Sequence, residues 1–181
     1  MTDYGTRSEP AAIRFERRLP GPIDRVWSYL VDPEKRGRWL AAGPIEPRAG
    51  GRLELHFHNA KLAPPGEPVP EQYRDHAGEI TSQQRILRYE PPHVLAFTWS
   101  EPADGSSPSE VTFELSAEGD EVRLVLTHRR LARGEQLDIG PGWHLHLGVL
   151  EARLRGEEPK AFWSVLARLE PEYRRRFGEE A

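Results

Sequence analysis

Apolar residues in this chain recur at two periods, and the switch between them marks out the elements. In AAIRFERRL, Ile13, Phe15 and Leu19 share one face, the alternation of a half-buried strand over Ala11–Leu19. LPGPIDRVWSYLV then changes period. Pro22 opens a helix, and Ile23, Val26, Trp27 and Leu30 fall at i, i+3, i+4, i+7 along one stripe. Asp32-Pro33 starts a short second helix, DPEKRGRWL, which delivers Trp39 and Leu40. RLELHFH (Arg52–His58) alternates again, setting Leu53, Leu55 and Phe57 against Glu54, His56 and His58. The next stretch, Asn59 to His76, is too rich in proline for a helix or a central strand, which predicts a lid or covering loop. GEITSQQRILRYE, VLAFTWS, SEVTFELS and EVRLVLTHR follow as strands joined by polar turns, among them the loop EPADGSSP. After LARGEQLDIGPG a long helix begins at Gly142 and ends near Gly156. Pro159 opens a final helix, PKAFWSVLARLEPEYRRRF. Strands run together with helices at the ends, which predicts an α+β fold whose antiparallel sheet of about six to seven strands curls around the long helix.

That long helix carries the first question of function. At about 100° per residue, Trp143, Leu147, Leu150 and Leu154 form its buried stripe. Leu145, Val149 and Ala152 make a weaker apolar patch opposite, so the helix is sandwiched, with Phe162, Trp163, Leu166 and Leu169 of the final helix on one side. His144 and His146 lie about 200° apart around the axis and cannot grip one metal ion together. The same wheel puts His146 beside Trp143 and sets His144 among Glu151 and Arg155 on the wet side. His56 and His58 share a strand face with Glu54 and could chelate, but their parity turns them outward and no H-E-x-x-H motif is present, so no metal site is expected. His128 shares the face of Val122, Leu124 and Leu126, which places it at the rim of the cavity His146 borders. As weak catalytic candidates, His128 and His146 offer an acid and a base near neutral pH; the competing reading has each imidazole simply hydrogen-bonded at an element end.

Composition narrows the classes. The sequence has no cysteine, which excludes disulfides, thiolate nucleophiles and cysteine-held metals. A formal charge of -4 gives no field for nucleic acid, and Arg174, Arg175 and Arg176 belong to a helix end. There is no phosphate loop, no nucleophile elbow and no motif for a cofactor. The opening residues lack a signal-like order, and no apolar run reaches the ~20 residues of a membrane span, so the expected location is cytoplasmic. Five tryptophans with Phe57, Phe97 and Phe113 furnish either a core or an aromatic pocket.

Several strings in order, RLPGPIDRVWSYLVDPEKRGRWL, PRAGGRLEL, ILRYEPPHVLAFTW, SEVTFEL, LTHRRL and GWHLHLGVLEARLRG, resemble the helix-grip, START-like (SRPBCC) superfamily, in its branch related to the C-terminal domain of the activator of the heat-shock chaperone ATPase. The resemblance spans roughly residues 12–156. The resemblance implies a helix-grip domain at 11–157, preceded by residues 1–10, which read as a flexible leader, and followed by a helical extension at 158–181. It also implies an elongated cavity between sheet and helix, with Trp39, Phe57, Trp99, Trp143, His146 and Leu147 in or beside it. The inward faces of the pattern add Leu55, Phe97, Phe113, Leu126 and Leu150. The leading expectation is a binding protein for a small apolar or amphipathic molecule, with the Pro-rich loop at the entrance. A cyclase or hydrolase of aromatic or polyketide-like substrates is the runner-up. A chaperone-associated or stress-response module is third, and a homodimer stays open.

Overall fold

Alternating strands become one sheet when each can bury its apolar face on a common core, and seven of them do so here. The computed structural model describes residues 3–9, 11–99, 106–132 and 134–178. Its strands are β1 (Thr6–Glu9), β2 (Ala12–Pro20), β3 (Arg52–His58), β4 (Glu79–Glu90), β5 (Val94–Trp99), β6 (Ser109–Glu118) and β7 (Glu121–Arg129). They pair antiparallel throughout in the order β1-β2-β7-β6-β5-β4-β3. β4 pairs with β3 over Glu79–Arg85 and with β5 over Ile86–Glu90, and the register slips between Ile86 and Arg88. An irregularity of that kind increases local twist, and it lies where the sheet passes from its broad part to its last hairpin.

Between β2 and β3 run α1 (Ile23–Val31) and α2 (Pro33–Gly37), with the Asp32 side chain capping the second helix through the Lys35 amide (3.0 Å). Arg36 of α2 is buried without a carboxylate partner among the described residues. Its guanidinium instead donates to the carbonyls of Ala41 (3.0 Å), Gly43 (2.5 Å) and Leu30 (3.3 Å), tying the turn after α2 into place. The concave side of the sheet is filled by α4 (Glu135–Leu154), and α5 (Trp163–Phe177) packs on the outer face of α4. Trp143, Leu147, Leu150 and Leu154 are buried, and so are Leu145 and Val149 on the opposite side, as a helix between two layers requires.

Four expectations need correction. Residues 6–9 of the predicted loose leader form an edge strand, because the preceding Tyr4 packs on His144 and Tyr173 and the Gly5 amide donates to the Tyr173 hydroxyl (2.9 Å). The Pro-rich stretch contains two single turns (Asn59–Lys61, Glu71–Tyr73) and α3 (Arg74–Ala77), each placed where no proline intervenes. α4 starts at Glu135, seven residues before Gly142, and runs through Gly140-Pro141-Gly142. α5 starts at Trp163, four residues after Pro159. Most of the EPADGSSP loop, residues 101–105, lies outside the described residues.

The two glycines flanking Pro141 differ in space. A Cβ on Gly140 would sit 2.7 Å from two ring carbons of Tyr173, whereas one on Gly142 would meet nothing within 4 Å. Gly140→Ala is therefore expected to destabilise the fold by about 1–3 kcal/mol through overpacking. Gly142→Ala is expected to stabilise it by about 0.5–1 kcal/mol through helix propensity. Thermal melts of the two variants check the opposite signs.

Candidate functional site

The site forms at the N-terminal half of α4, where the sheet side of the helix stops being filled. Trp143 projects toward the sheet and lies against Trp99 (ring centroids 5.1 Å) and edge-on to Phe113 (5.9 Å). Its indole N–H donates to His128 Nδ1 (3.0 Å), which fixes the His128 proton on Nε2. That Nε2–H reaches the Ser109 hydroxyl (2.9 Å), and the hydroxyl donates to the Trp99 carbonyl (2.8 Å). Every polar atom of this buried chain has a partner, and His128 itself is 0% exposed. Burial pushes its pKa down to about 3, so the ring is neutral at ordinary pH.

His146, one turn further along α4, is arranged differently. Its Nδ1–H donates to the Trp39 carbonyl (2.7 Å), leaving Nε2 as an acceptor with no partner among the described residues. Burial lowers its pKa against the opposing effect of that hydrogen bond. Two spaces meet at this residue. A chamber of about 130 Å³ is walled by Leu40, Phe57, Trp99, Ile139 and Trp143, with Asp138, Gly142 and His146 at its edge. An outer cleft of about 530 Å³ shares Asp138, Gly142 and His146 and is completed by Asn59, Tyr73 and His76, by Leu137 and Leu145 of α4, and by Phe162, Trp163, Leu166 and Glu170.

The covering segment is fastened to α5. Burial raises the Glu67 pKa, but the α5 donors outweigh it and leave it lowered; the carboxylate accepts from the amides of Phe162 (2.7 Å) and Ser164 (3.0 Å). Tyr73 stacks on Trp163 (5.6 Å) and donates to Glu170 (3.0 Å). The cleft is thus roofed by the Pro-rich segment and floored by α4.

A family model, the activator of Hsp90 ATPase homolog 1-like protein, matches residues 20–155. The chain belongs to this family. Its fold is the helix grip of the SRPBCC superfamily, a ligand-binding fold. It resembles a Bordetella parapertussis protein solved by NMR, at 48% identity and TM-score 0.83, over 97% of this chain and 91% of that one. CalU16 of Micromonospora echinospora is similar at 28% identity and TM-score 0.65, over 92% and 89%. A conserved protein of unknown function from Enterococcus faecalis shares the fold alone, at 18% identity and TM-score 0.64 over 97% and 91%. No curated protein matches the sequence.

Within this family member, the residues expected at a pocket divide in two. Phe57, Trp99, Trp143 and His146 line the chamber. Trp39, Leu55, Phe97, Phe113, Leu126, Leu147 and Leu150 are packed core, each at most 2% exposed. They pack into the sheet–helix interior, and the chamber lies at one end of α4. His128 does not reach the rim of the cavity; it lies behind Trp99 and Trp143 with both nitrogens occupied. His144 is not on the wet side. Tyr4 and Tyr173 cover it, its Nδ1 takes the Tyr173 hydroxyl (3.1 Å), and burial with nearby Arg17 pushes its pKa down to about 4. His56 pairs with Glu54 (2.9 Å) and His58 with Glu79 (3.5 Å), and no group of three metal-ligating residues occurs among the described residues. The sequence reading missed Leu40, Asp138, Ile139 and Gly142, and it missed the outer cleft. The available signal was Gly142 itself, a small residue on the stripe that carries Trp143 and His146.

Proposed function

We propose that this chain binds a small amphipathic molecule at the start of α4, with an apolar ring in the aromatic chamber and a polar remainder in the outer cleft. What carries the reading is the meeting of the two spaces at Gly142 and His146. A dry apolar cavity of about 150 Å³ accommodates benzene, so a chamber of about 130 Å³ suits one ring and no more. The rest of a ligand must extend into the cleft, whose volume is within the usual range of small-molecule sites. A chaperone-docking role asks instead for a broad exposed apolar patch. Among the described residues the exposed large hydrophobics are Ile80 and Leu87.

The acid–base reading retains one imidazole. His146 has a free acceptor nitrogen at the cleft, while His128 is sealed in its own hydrogen-bond chain. Binding without chemistry is the simpler use of this geometry.

Native mass spectrometry of protein purified from its own organism tests the proposal. The expected result is a reproducible added mass of a few hundred daltons, lost in Gly142→Leu, whose side chain grows into the empty space beside the helix. Gly142→Leu should melt no lower than the parent protein. A clean apo mass for the parent protein counts against a resident ligand, and an adduct that survives Gly142→Leu places it elsewhere.

A further inference from the structure

The polar atoms around the two spaces narrow the chemistry of the ligand. Among the described residues, no arginine or lysine borders either one, while two carboxylates, Asp138 and Glu170, border the cleft. Two acceptors there lack donors. The Asn59 Oδ1 is buried and unpartnered, and its orientation is fixed because the amide nitrogen donates to the His76 carbonyl (3.0 Å). The His146 Nε2 is an acceptor because Nδ1 holds the proton for Trp39. Against these stands, among the described residues, one unpartnered buried donor at the cleft, the indole N–H of Trp163, a residue 1% exposed in the cleft wall.

An unmet buried acceptor costs free energy that a ligand donor recovers, and a ligand anion placed between two carboxylates meets repulsion in a weakly screened site. We infer that the ligand of this site is an aryl-alkyl amine, its ring in the chamber of Trp99 and Trp143 and its ammonium in the cleft between Asp138 and Glu170. The inference rests on the binding proposed above and adds the class of head group. A carboxylate amphiphile, such as a fatty acid, is the wrong partner on the same grounds. Neutral His146 does not repel the ammonium; its free nitrogen accepts a hydrogen bond.

Three probes with one skeleton separate the possibilities: phenylbutylamine, phenylbutanol and phenylbutyrate, titrated by NMR at low salt while the tryptophan indole N–H signals are followed. The amine is expected to bind about tenfold tighter than the alcohol, with the carboxylate weakest. Asp138→Asn combined with Glu170→Gln, which keeps an acceptor for the Tyr73 hydroxyl, should bring the amine to the level of the alcohol in the same variant. Gly142→Leu should abolish binding of all three. A carboxylate that binds as tightly as the amine, still sensitive to Gly142→Leu, overturns the amine assignment and leaves the pocket standing. If none of the probes moves the indole signals, the pocket reading falls and the head-group inference with it.

Discussion

Acidification from about pH 7 to about pH 4.5 is expected to lower the folding stability by about 4 kcal/mol, well before the strongest carboxylate pair titrates. The cause is a set of histidines that fold neutral. His128 titrates near 3 in the folded protein against 6.5 for the free side chain, and His144 near 4. The unfolded chain therefore binds protons that the folded one refuses, and stability drops as pH falls below the unfolded value until the folded pKa is reached. At about 1.4 kcal/mol per pH unit, His128 contributes nearly 3 kcal/mol of this loss. His144, half-buried at the Tyr4–Tyr173 cluster, adds about 1 kcal/mol after discounting for solvent screening. His146, shifted the same way by burial, acts in the same direction. Glu16 belongs to a later window. The Arg123 hydrogen bonds hold its pKa at about 2, so its contribution is intact above its ordinary value of 4.5 and is lost as pH falls from there toward 2. Urea unfolding at several pH values measures the slope. In His144→Gln, which keeps an acceptor for the Tyr173 hydroxyl, the slope should be shallower by the share of one proton. A flat profile down to pH 4.5 would mean that the buried imidazoles accept protons without unfolding, contrary to their enclosure.

Where an element is decided by its own period, the sequence was enough. β3 and β7 have the bounds their alternation predicts, because burying one face of a strand leaves no freedom of register. The start of α4 was not legible. Gly140-Pro141-Gly142 reads as a break, yet it is helical, and the glycine at 140 is there because the Tyr173 ring, on another element, occupies the space a side chain would need. β1 was hidden for a similar reason: TRSE has no apolar alternation, and it is held by what Tyr4 and Gly5 touch on α4 and α5. At the site, Phe57, Trp99, Trp143 and His146 were supplied by the family resemblance, and all four border the chamber from regular elements whose parity turns them inward. The cleft was missed because it is assembled from the Pro-rich segment and α5, and their meeting through Glu67, Tyr73 and Trp163 follows from no period within either.

Arg36 was also unmarked in the sequence, one cation in the charge-dense string PEKRGR, and its loss is expected to be costly. Arg36→Ala should destabilise the fold by about 3–4 kcal/mol, a loss near the upper end for single substitutions. Burial lowers its pKa to about 10, so it remains charged at neutral pH, and it is solvated by main-chain carbonyls alone. Without it, the Ala41, Gly43 and Leu30 carbonyls are left in a dry interior, at about 1–3 kcal/mol for each group that finds no water. The damage should also reach the site. Trp39 lies between Arg36 and the turn it secures, and the Trp39 carbonyl is what directs His146. Arg36→Lys should rescue little, because an ammonium cannot spread its donors over carbonyls on α1 and on the following turn as the planar guanidinium does. Chemical denaturation gives the stability term. The chemical shifts of the His146 ring give the second, and they should move in Arg36→Ala under conditions where the folded state still dominates. An Arg36→Ala protein with near-parental stability would mean that water replaces the guanidinium among those carbonyls. An unmoved His146 would mean that Trp39 is held by its indole hydrogen bond to the Tyr29 carbonyl and its packing on Phe113 rather than by the charge beneath it.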